Sequence, residues 1–444
     1  MITVSSFKSS NITGEISNFA DKSISHRSII LASLGVGVSK IKGLLESSDV
    51  FNTIDCFKKL GVKINKINDT YVVESLGFYS FSTENDDFYM GNSGTSCRLI
   101  AGVLAGITNK NSQITGDSSL SKRPMQRVIN PLQLMGADIS HNNFKLPIKI
   151  SGEKLKGINY TLDVPSAQVK SSILLAGLFA NEKTTVIEKE FTRDHTENML
   201  KNLGVNIDIA YEKSQKIITI DNNQKDLPSA NYIIPNDFSS ASFFIALALI
   251  CKDSEITIKN VNLNPLRTGF LQVVMEMGAD IKILNECNLQ GESVGDLLVK
   301  SSQLKGISVN PALVPTMIDE FPILSIVATF CQGKTEFKGI AELRHKESDR
   351  IQSVVSNFKK LGILFEETED SLSIIGINKE LEGGVEIESF LDHRIAMSFL
   401  ILGSKCKNPL QVKGCESIKT SFPNFFELAK KVGLNLEIKN KELL

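Results

Sequence analysis

Six glycines divide this chain into six parts of one kind. They stand in KKLGVKI (Gly61), QLMGADI (Gly136), KNLGVNI (Gly204), MEMGADI (Gly278), KKLGILF (Gly362) and KKVGLNL (Gly433), at spacings of 75, 68, 74, 84 and 71 residues. Each follows an amphipathic run and precedes a strand-like one, so each predicts the residue just past a helix end, where glycine stops the helix. The flanks keep step. Ahead of each amphipathic helix lie a short strand and a polar loop, as in TEFKGIAELRHKESD. Ahead of that strand lies an apolar helix with a polar start, as in DKSISHRSIILASL. The repeating order is helix, strand, loop, helix, glycine, strand, often with one more strand. Three copies per half predict two similar α/β domains rather than an open solenoid, because apolar first helices suit burial under sheets. Pro235 in YIIPND marks the join.

Composition limits what such a chain does. Its 444 residues carry a formal net charge of −1, with 42% hydrophobic and 22% charged residues. That balance disfavours a nucleic-acid binder, which needs a basic face. The apolar runs SILLAGLFA and FFIALALIC are too short to span a bilayer. The opening MITVSSFKSS lacks the basic-then-apolar order of a secretory signal. The seven cysteines are scattered, with no C-x-x-C pair, and read as packing thiols in a reducing cytoplasm rather than as disulfides or a zinc site.

Of 49 basic residues only nine are arginine: Arg27, Arg98, Arg123, Arg127, Arg193, Arg267, Arg344, Arg350 and Arg394. All fall at polar helix starts or in the loops leading into them, as do His26, His195, His345 and His393. Cations there oppose the helix dipole, whereas exposed N–H groups and guanidinium forks suit carboxylate and phosphate ligands. The pattern predicts anion sites.

The separate strings are weaker than their sum. DKSISHRS places Lys22 with His26, and Ser23 with Arg27, on shared faces of one helix. GNSGTSCR lacks both the P-loop ending and the dinucleotide spacing. It leaves open a capped turn or a backbone approach to an anion at Gly94. SKRPMQR predicts Pro124 at the first helical position, with Arg123 at the entrance. SAQVKSS offers Ser166, Gln168 and Lys170, and FTRDHTE offers Arg193. In MIDEFP, Asp319 and Glu320 read as caps or, in a cationic pocket, as a general base. ELRHKESDR gathers charges of both signs, and Lys346 and Arg350, four apart, are expected on one helical face. No Ser-His-Asp order, H-E-x-x-H pair or carboxylate cage is found, so acid–base chemistry on anions without a metal is expected.

Taken together, DKSISHRS, GNSGTSCR, GDSSLSKRPM, SAQVKSS, FTRDHTENM, DFSSAS, MIDEFP, ELRHKESDR and DHRIAM resemble, in order, the 5-enolpyruvylshikimate-3-phosphate (EPSP) synthase family over nearly the whole chain. SAQVKS and RDHTE are similar to its class II bacterial type. The resemblance implies an α/β fold of two domains, each of three βαβαββ repeats, an inside-out, barrel-like arrangement with the active site in the interdomain cleft. It implies residues 21–235 as one domain and 1–20 plus 236–444 as the other, with crossings near 20–21 and 235–236.

The implied activity moves the enolpyruvyl group of phosphoenolpyruvate to the 5-hydroxyl of shikimate 3-phosphate and releases phosphate, on the route to chorismate and aromatic amino acids. It passes through a tetrahedral adduct and needs no cofactor or metal. A cytoplasmic monomer and a glyphosate target are also implied. Lys22, Asp319, Glu347 and His393 would be catalytic. Ser23, Arg27, Ser166, Ala167, Gln168, Arg193, Asp319 and Lys346 would hold shikimate 3-phosphate. Lys22, Gly94, Arg123, Gln168, Arg350 and Arg394 would surround phosphoenolpyruvate. Ala167 replaces a serine found in some members. Some members also carry a lysine two residues before FP, where this chain has Thr420, with Lys419 one residue earlier.

Three alternatives fit less well. The sister enzyme acting on UDP-N-acetylglucosamine usually has a loop cysteine where this chain reads GDSSLSKRPM, and an asparagine where it has Ser23. A repeat-built DNA clamp would need a basic channel, as would be reflected in net charge. RNA-end-processing relatives would need a nucleotide site that is not found.

Overall fold

A computed structural model describes residues 2–221, 226–377 and 379–439. Two compact units emerge: one of 20–234 with Asn288–Glu292, the other of 1–19, Pro235–Cys287 and Ser293–Leu444. They are called the first and second halves below.

The first half carries α1 (Lys22–Leu34), α2 (Ser48–Lys59), α3 (Gly94–Ala105), α4 (Gln126–Leu134), α5 (Ala167–Gly177) and α6 (His195–Asn202). The second carries α7 (Phe238–Ile250), α8 (Gly269–Glu276), the short α9 (Val314–Met317), α10 (Phe321–Thr329), α11 (Arg350–Leu361), α12 (His393–Gly403) and α13 (Phe425–Lys431). The βαβαββ repeats are present in both halves, although in the fifth the sheet has three strands, Lys334–Lys338, Ser371–Ile375 and Phe365–Glu367. In the third repeat, strand Asn159–Thr161 runs parallel to Thr184–Glu188, which pairs antiparallel with Gln215–Ile220, itself hairpinned to Ile207–Glu212. The second repeat has the same order.

Each half closes its set with chain from far away. Strand Asn231–Ile233 lies parallel to Gly35–Lys42 and completes the first sheet. Strand Thr13–Ile16 completes the sheet of Glu255–Asn262, and Thr3–Ser6 sits between Leu410–Lys413 and Leu436–Lys439.

All six repeat glycines have positive φ, from 68° at Gly362 to 104° at Gly136. An L side chain is strained there, which is why the helices stop at these points. The apolar helices pack together at the centre of each half, α1, α3 and α5 in the first, α7, α10 and α12 in the second. In α7 every residue but Ser240 is buried. At Gly102 of α3 a Cβ would run into the Ser172 carbonyl of α5, so glycine permits that close approach. No single helix among the described residues is long and apolar enough to cross a membrane.

This packing aims the polar starts of the apolar helices at one end of each half. Side-chain caps fix those starts. Asp21 accepts from the Ile24 N–H at 2.8 Å, Ser93 from Ser96 at 3.1 Å and Ser166 from Val169 at 3.4 Å. Asp349 accepts from Gln352 and Asp392 from Arg394, both at 2.9 Å. None of these five helices has an acidic residue in its first turn.

Candidate active site

In the first half the helix starts present a set of cations, among them Lys22, Arg27, Arg98 and Arg123. Lys22 opens α1 and forms an ion pair with the buried Asp49 of α2. Arg27, one turn on from Ser23, is almost wholly buried. Its Nε donates to Thr196 Oγ1 at 2.7 Å, Nη2 to Ser171 Oγ at 2.8 Å and Nη1 to the Ser23 carbonyl at 2.9 Å. No carboxylate among the described residues pairs with it. Burial pushes the guanidinium down to about 10, against the pull of Glu197 and Asp21, so it stays cationic at neutral pH.

Around α3, Arg98 donates to Gln168 Oε1 at 2.7 Å, and Gln168 Nε2 donates to Thr95 Oγ1 at 3.0 Å. Gln168 is thereby fixed between α3 and α5. Arg123 donates to Asn92 and, at 3.4 Å, to Ser119. A Cβ on Gly94 would stand 2.5 Å from Arg98 Nη1 and 3.3 Å from Arg123 Nη1. The glycine keeps room for two guanidinium groups. Its own backbone is not in the left-handed region. Ser166, Ala167 and Arg193 are half-buried at the starts of α5 and α6.

His26 lies behind this set, fully buried. Burial, then Lys22 and Arg27, hold its ring well below the usual range, so it is neutral near pH 7. Its Nδ1 lies 2.8 Å from Thr53 Oγ1, which continues to Ser96 at 2.9 Å and on to Ser93 at 2.8 Å. The chain ties α1 and α2 to the turn before Gly94.

The second half is built otherwise. Arg350, 1% exposed, donates to Asp392 at 2.9 Å, Asp319 at 3.2 Å and Glu347 at 2.6 Å. Burial alone would weaken its hold on a proton, but Asp392, then Glu347 and Asp319, outweigh that and raise it above its ordinary value. Arg394 donates to the Asp319 carbonyl at 3.2 Å and lies 3.9 Å from both the Asp319 and Glu320 carboxylates. Lys346 lies 3.6 Å from Glu342. Burial pushes its ammonium below the usual lysine value, although Asp319 and Glu342 pull the other way. His393 is buried at the start of α12, and Lys419 lies in the 3-10 segment Cys415–Thr420.

Several sequence expectations are corrected. Lys346 and Arg350 do not share a helical face: Ala341–His345 is a 3-10 turn, Lys346 is extended, and α11 begins only at Arg350, where Asp349 caps it. The two cations share Asp319 as a neighbour instead. Arg344 is spent on Asp349 and on the Thr368 and Glu369 carbonyls, so it braces the turn. Pro124 precedes α4 by two residues, with Met125 at the cap. Lys170 meets no solvent. It is fully buried with Glu188 at 3.0 Å, Glu197 at 2.8 Å and the Thr192 carbonyl at 3.1 Å. Glu320 gives α10 no side-chain cap and turns to Ser239.

The sequence reading passed over Asp49, Asn92, Ser171, Thr196 and Asp392, which hold the named cations. Asn92, Ser171, Thr196 and Asp392 stand inside quoted motifs, so the signal was present. Among the described residues no group of three or more His, Cys, Asp or Glu is placed to hold a metal ion.

Comparison with known proteins gives one consistent result. Residues 7–428 match the family model for EPSP synthase (3-phosphoshikimate 1-carboxyvinyltransferase). The chain is similar to proteins named 3-phosphoshikimate 1-carboxyvinyltransferase from Vesicomyosocius okutanii (46% identity, 97% of this chain and 98% of that one) and Thermodesulfovibrio yellowstonii (47%, 95% and 97%). The solved EPSP synthase of Acinetobacter baumannii superposes with a TM-score of 0.87 at 41% identity, covering 99% of this chain and 100% of that one. The enolpyruvyl transferase NikO of Streptomyces tendae superposes at 0.78 with 12% identity over 99% of this chain and 98% of that one, a likeness of fold alone.

Proposed function

This chain belongs to the EPSP synthase (3-phosphoshikimate 1-carboxyvinyltransferase) family, and from that premise we propose which side chains carry out each part of the reaction. The enzyme transfers the enolpyruvyl group of phosphoenolpyruvate to the 5-hydroxyl of shikimate 3-phosphate and releases phosphate, in the shikimate pathway to chorismate.

The reading rests on one observation above the rest: Arg27 is a buried cation whose hydrogen bonds all go to neutral oxygens. A buried charge with no carboxylate in direct contact is costly, and an anionic substrate lowers that cost on binding. Arg27 and Ser23, with Ser166, Gln168, Arg193 and Lys346, take shikimate 3-phosphate. The Ala167 position adds shape without a hydroxyl. Arg123, Lys22, Gln168, Arg350 and Arg394 take phosphoenolpyruvate, with Gly94 keeping their approach open.

The second set supplies proton chemistry. As the 5-hydroxyl oxygen bonds to C2 of phosphoenolpyruvate, a carboxylate takes the hydroxyl proton and a carboxylic acid protonates the methylene carbon. The resulting tetrahedral adduct then loses phosphate and a methyl proton, which regenerates the methylene double bond and leaves the enol ether of the product. Asp319 and Glu347 serve as these groups, and Lys22 assists. Arg350 bonds both carboxylates, so it fixes their positions. His393 stands with them as a further proton carrier. Neither set carries the whole chemistry. Action as a monomer in the cytoplasm, without nucleic acid, belongs to the same proposal.

Phosphate release from phosphoenolpyruvate, measured with and without shikimate 3-phosphate, tests this. Release should require shikimate 3-phosphate. Release that ignores it, or that UDP-N-acetylglucosamine supports equally, would reject the reading.

A further inference from the structure

Two hydroxyls stand where a buried arginine would ordinarily have a carboxylate. Thr196 Oγ1 and Ser171 Oγ accept from Arg27 Nε and Nη2 at 2.7 and 2.8 Å and lie 2.7 Å from each other. Both residues are buried, at 1% and 0% exposure. With the Ser23 carbonyl they occupy one N–H on each guanidinium nitrogen. One N–H on each terminal nitrogen is left without an acceptor among the described residues. Those two are open to a carboxylate or phosphate.

The hydroxyls themselves have little freedom. Ser171 follows Lys170 on α5, and Thr196 precedes Glu197 on α6. Lys170 Nζ reaches Glu197 Oε1 at 2.8 Å, so a buried ion pair runs beside the Ser171–Thr196 contact. Lys216 adds to Glu197 at 3.4 Å and Glu188 to Lys170 at 3.0 Å. This layer locks α5 to α6, and with them the two oxygens that set the guanidinium plane. A carboxylate at either position would hold Arg27 equally well but would cancel its charge and compete with the substrate. A hydroxyl fixes direction and leaves the charge available.

We propose that Thr196 and Ser171 are positioning residues for Arg27, which set the affinity for shikimate 3-phosphate by orienting that guanidinium without touching the substrate. The inference rests on the reading above that Arg27 binds this substrate.

Thr196→Val keeps the side-chain shape and removes the oxygen. It is expected to raise KM for shikimate 3-phosphate roughly tenfold or more, the scale of one hydrogen bond to a charged group. KM for phosphoenolpyruvate at saturating shikimate 3-phosphate, and the melting temperature, should change little. Thr196→Ser should restore the parent value. Adding Thr196→Val to Arg27→Ala should cost nothing further, because the effect passes through Arg27. Ser171→Ala should behave like Thr196→Val and decides the matter if the valine variant does not fold. Equal rises in both KM values, no rescue by serine, or an undiminished cost in the Arg27→Ala background would overturn the proposal. An Arg27→Ala variant with an unchanged KM for shikimate 3-phosphate would instead overturn the reading of Arg27 itself.

Discussion

Arg27, in the second turn of α1, and Arg350, at the start of α11, are both buried guanidinium groups, and they live in opposite surroundings. Arg27 touches two hydroxyls and a carbonyl. Arg350 touches three carboxylates. The first arrangement leaves a positive charge unspent, which suits a receptor for an anion. The second spends most of the charge inside the protein, which suits a clamp on acids that trade protons, a part Arg350 combines with its proposed contact to phosphoenolpyruvate. The two halves share a repeat and a fold, yet their polar ends are specialised by their partners rather than by their cations.

The largest break in this contrast should come from Glu347→Gln. The amide keeps the shape but cannot act as an acid, so kcat should fall about 10²–10⁴-fold while both KM values hold nearly steady. Single-turnover rates check this, and parent-like chemistry would make Glu347 a mere partner of Arg350.

Arg123→Lys comes next. It keeps the charge and loses the fork that also engages Asn92 and Ser119. A loss of about 1.5–3 kcal/mol in kcat/KM for phosphoenolpyruvate is expected. Unchanged kinetics would take Arg123 out of the receptor.

A pH experiment sharpens the contrast at Lys346. Burial lowers this ammonium's proton affinity. The charged form binds the phosphorylated substrate, so affinity should fade as pH rises through its value, earlier than for an ordinary lysine. Lys346→Arg stays charged, and its alkaline loss of shikimate 3-phosphate affinity should move to higher pH. A KM profile across the alkaline range reads it, and superimposable profiles would exclude Lys346 as the titrating group.

The smallest effect is expected from Gly94→Ala. Its methyl meets the ends of two flexible side chains, Arg98 and Arg123, which can shift. A rise of a few-fold in KM for phosphoenolpyruvate, about 1 kcal/mol or less, is predicted. Glyphosate inhibition measured in parallel should weaken with it, and equal values for both ligands in variant and parent would show that the methyl is absorbed elsewhere.

The repeat was legible because its signals are local. Helix-stopping glycines, polar caps and apolar periodicity act within a few residues, and the positive φ at all six glycines follows from them. The cations could be found from their helix-start positions for the same reason. Their partners could not. Thr196 is 169 residues from Arg27, Ser171 is 144, and Asp392 is 42 from Arg350. No spacing rule spans such distances, and only the packing of α1 with α5 and α6, or of α11 with α12, brings them together. The same limit misled the reading of Lys170, whose fate is decided by Glu188 and Glu197 on other elements. For Lys346 and Arg350 the failure was local. The capping strength of Asp349 starts the helix at Arg350 and leaves Lys346 outside it.

Equilibrium binding of shikimate 3-phosphate by calorimetry, to the parent, Arg27→Ala and Glu347→Gln, tests the contrast most directly. Arg27→Ala should bind at least roughly tenfold more weakly, the loss of a charge-assisted contact. Glu347→Gln should stay within about threefold of the parent, the range of an energetically near-neutral change. Parent-like binding by Arg27→Ala, or an equal loss in Glu347→Gln, would contradict the division of labour between an unspent cation and a spent one.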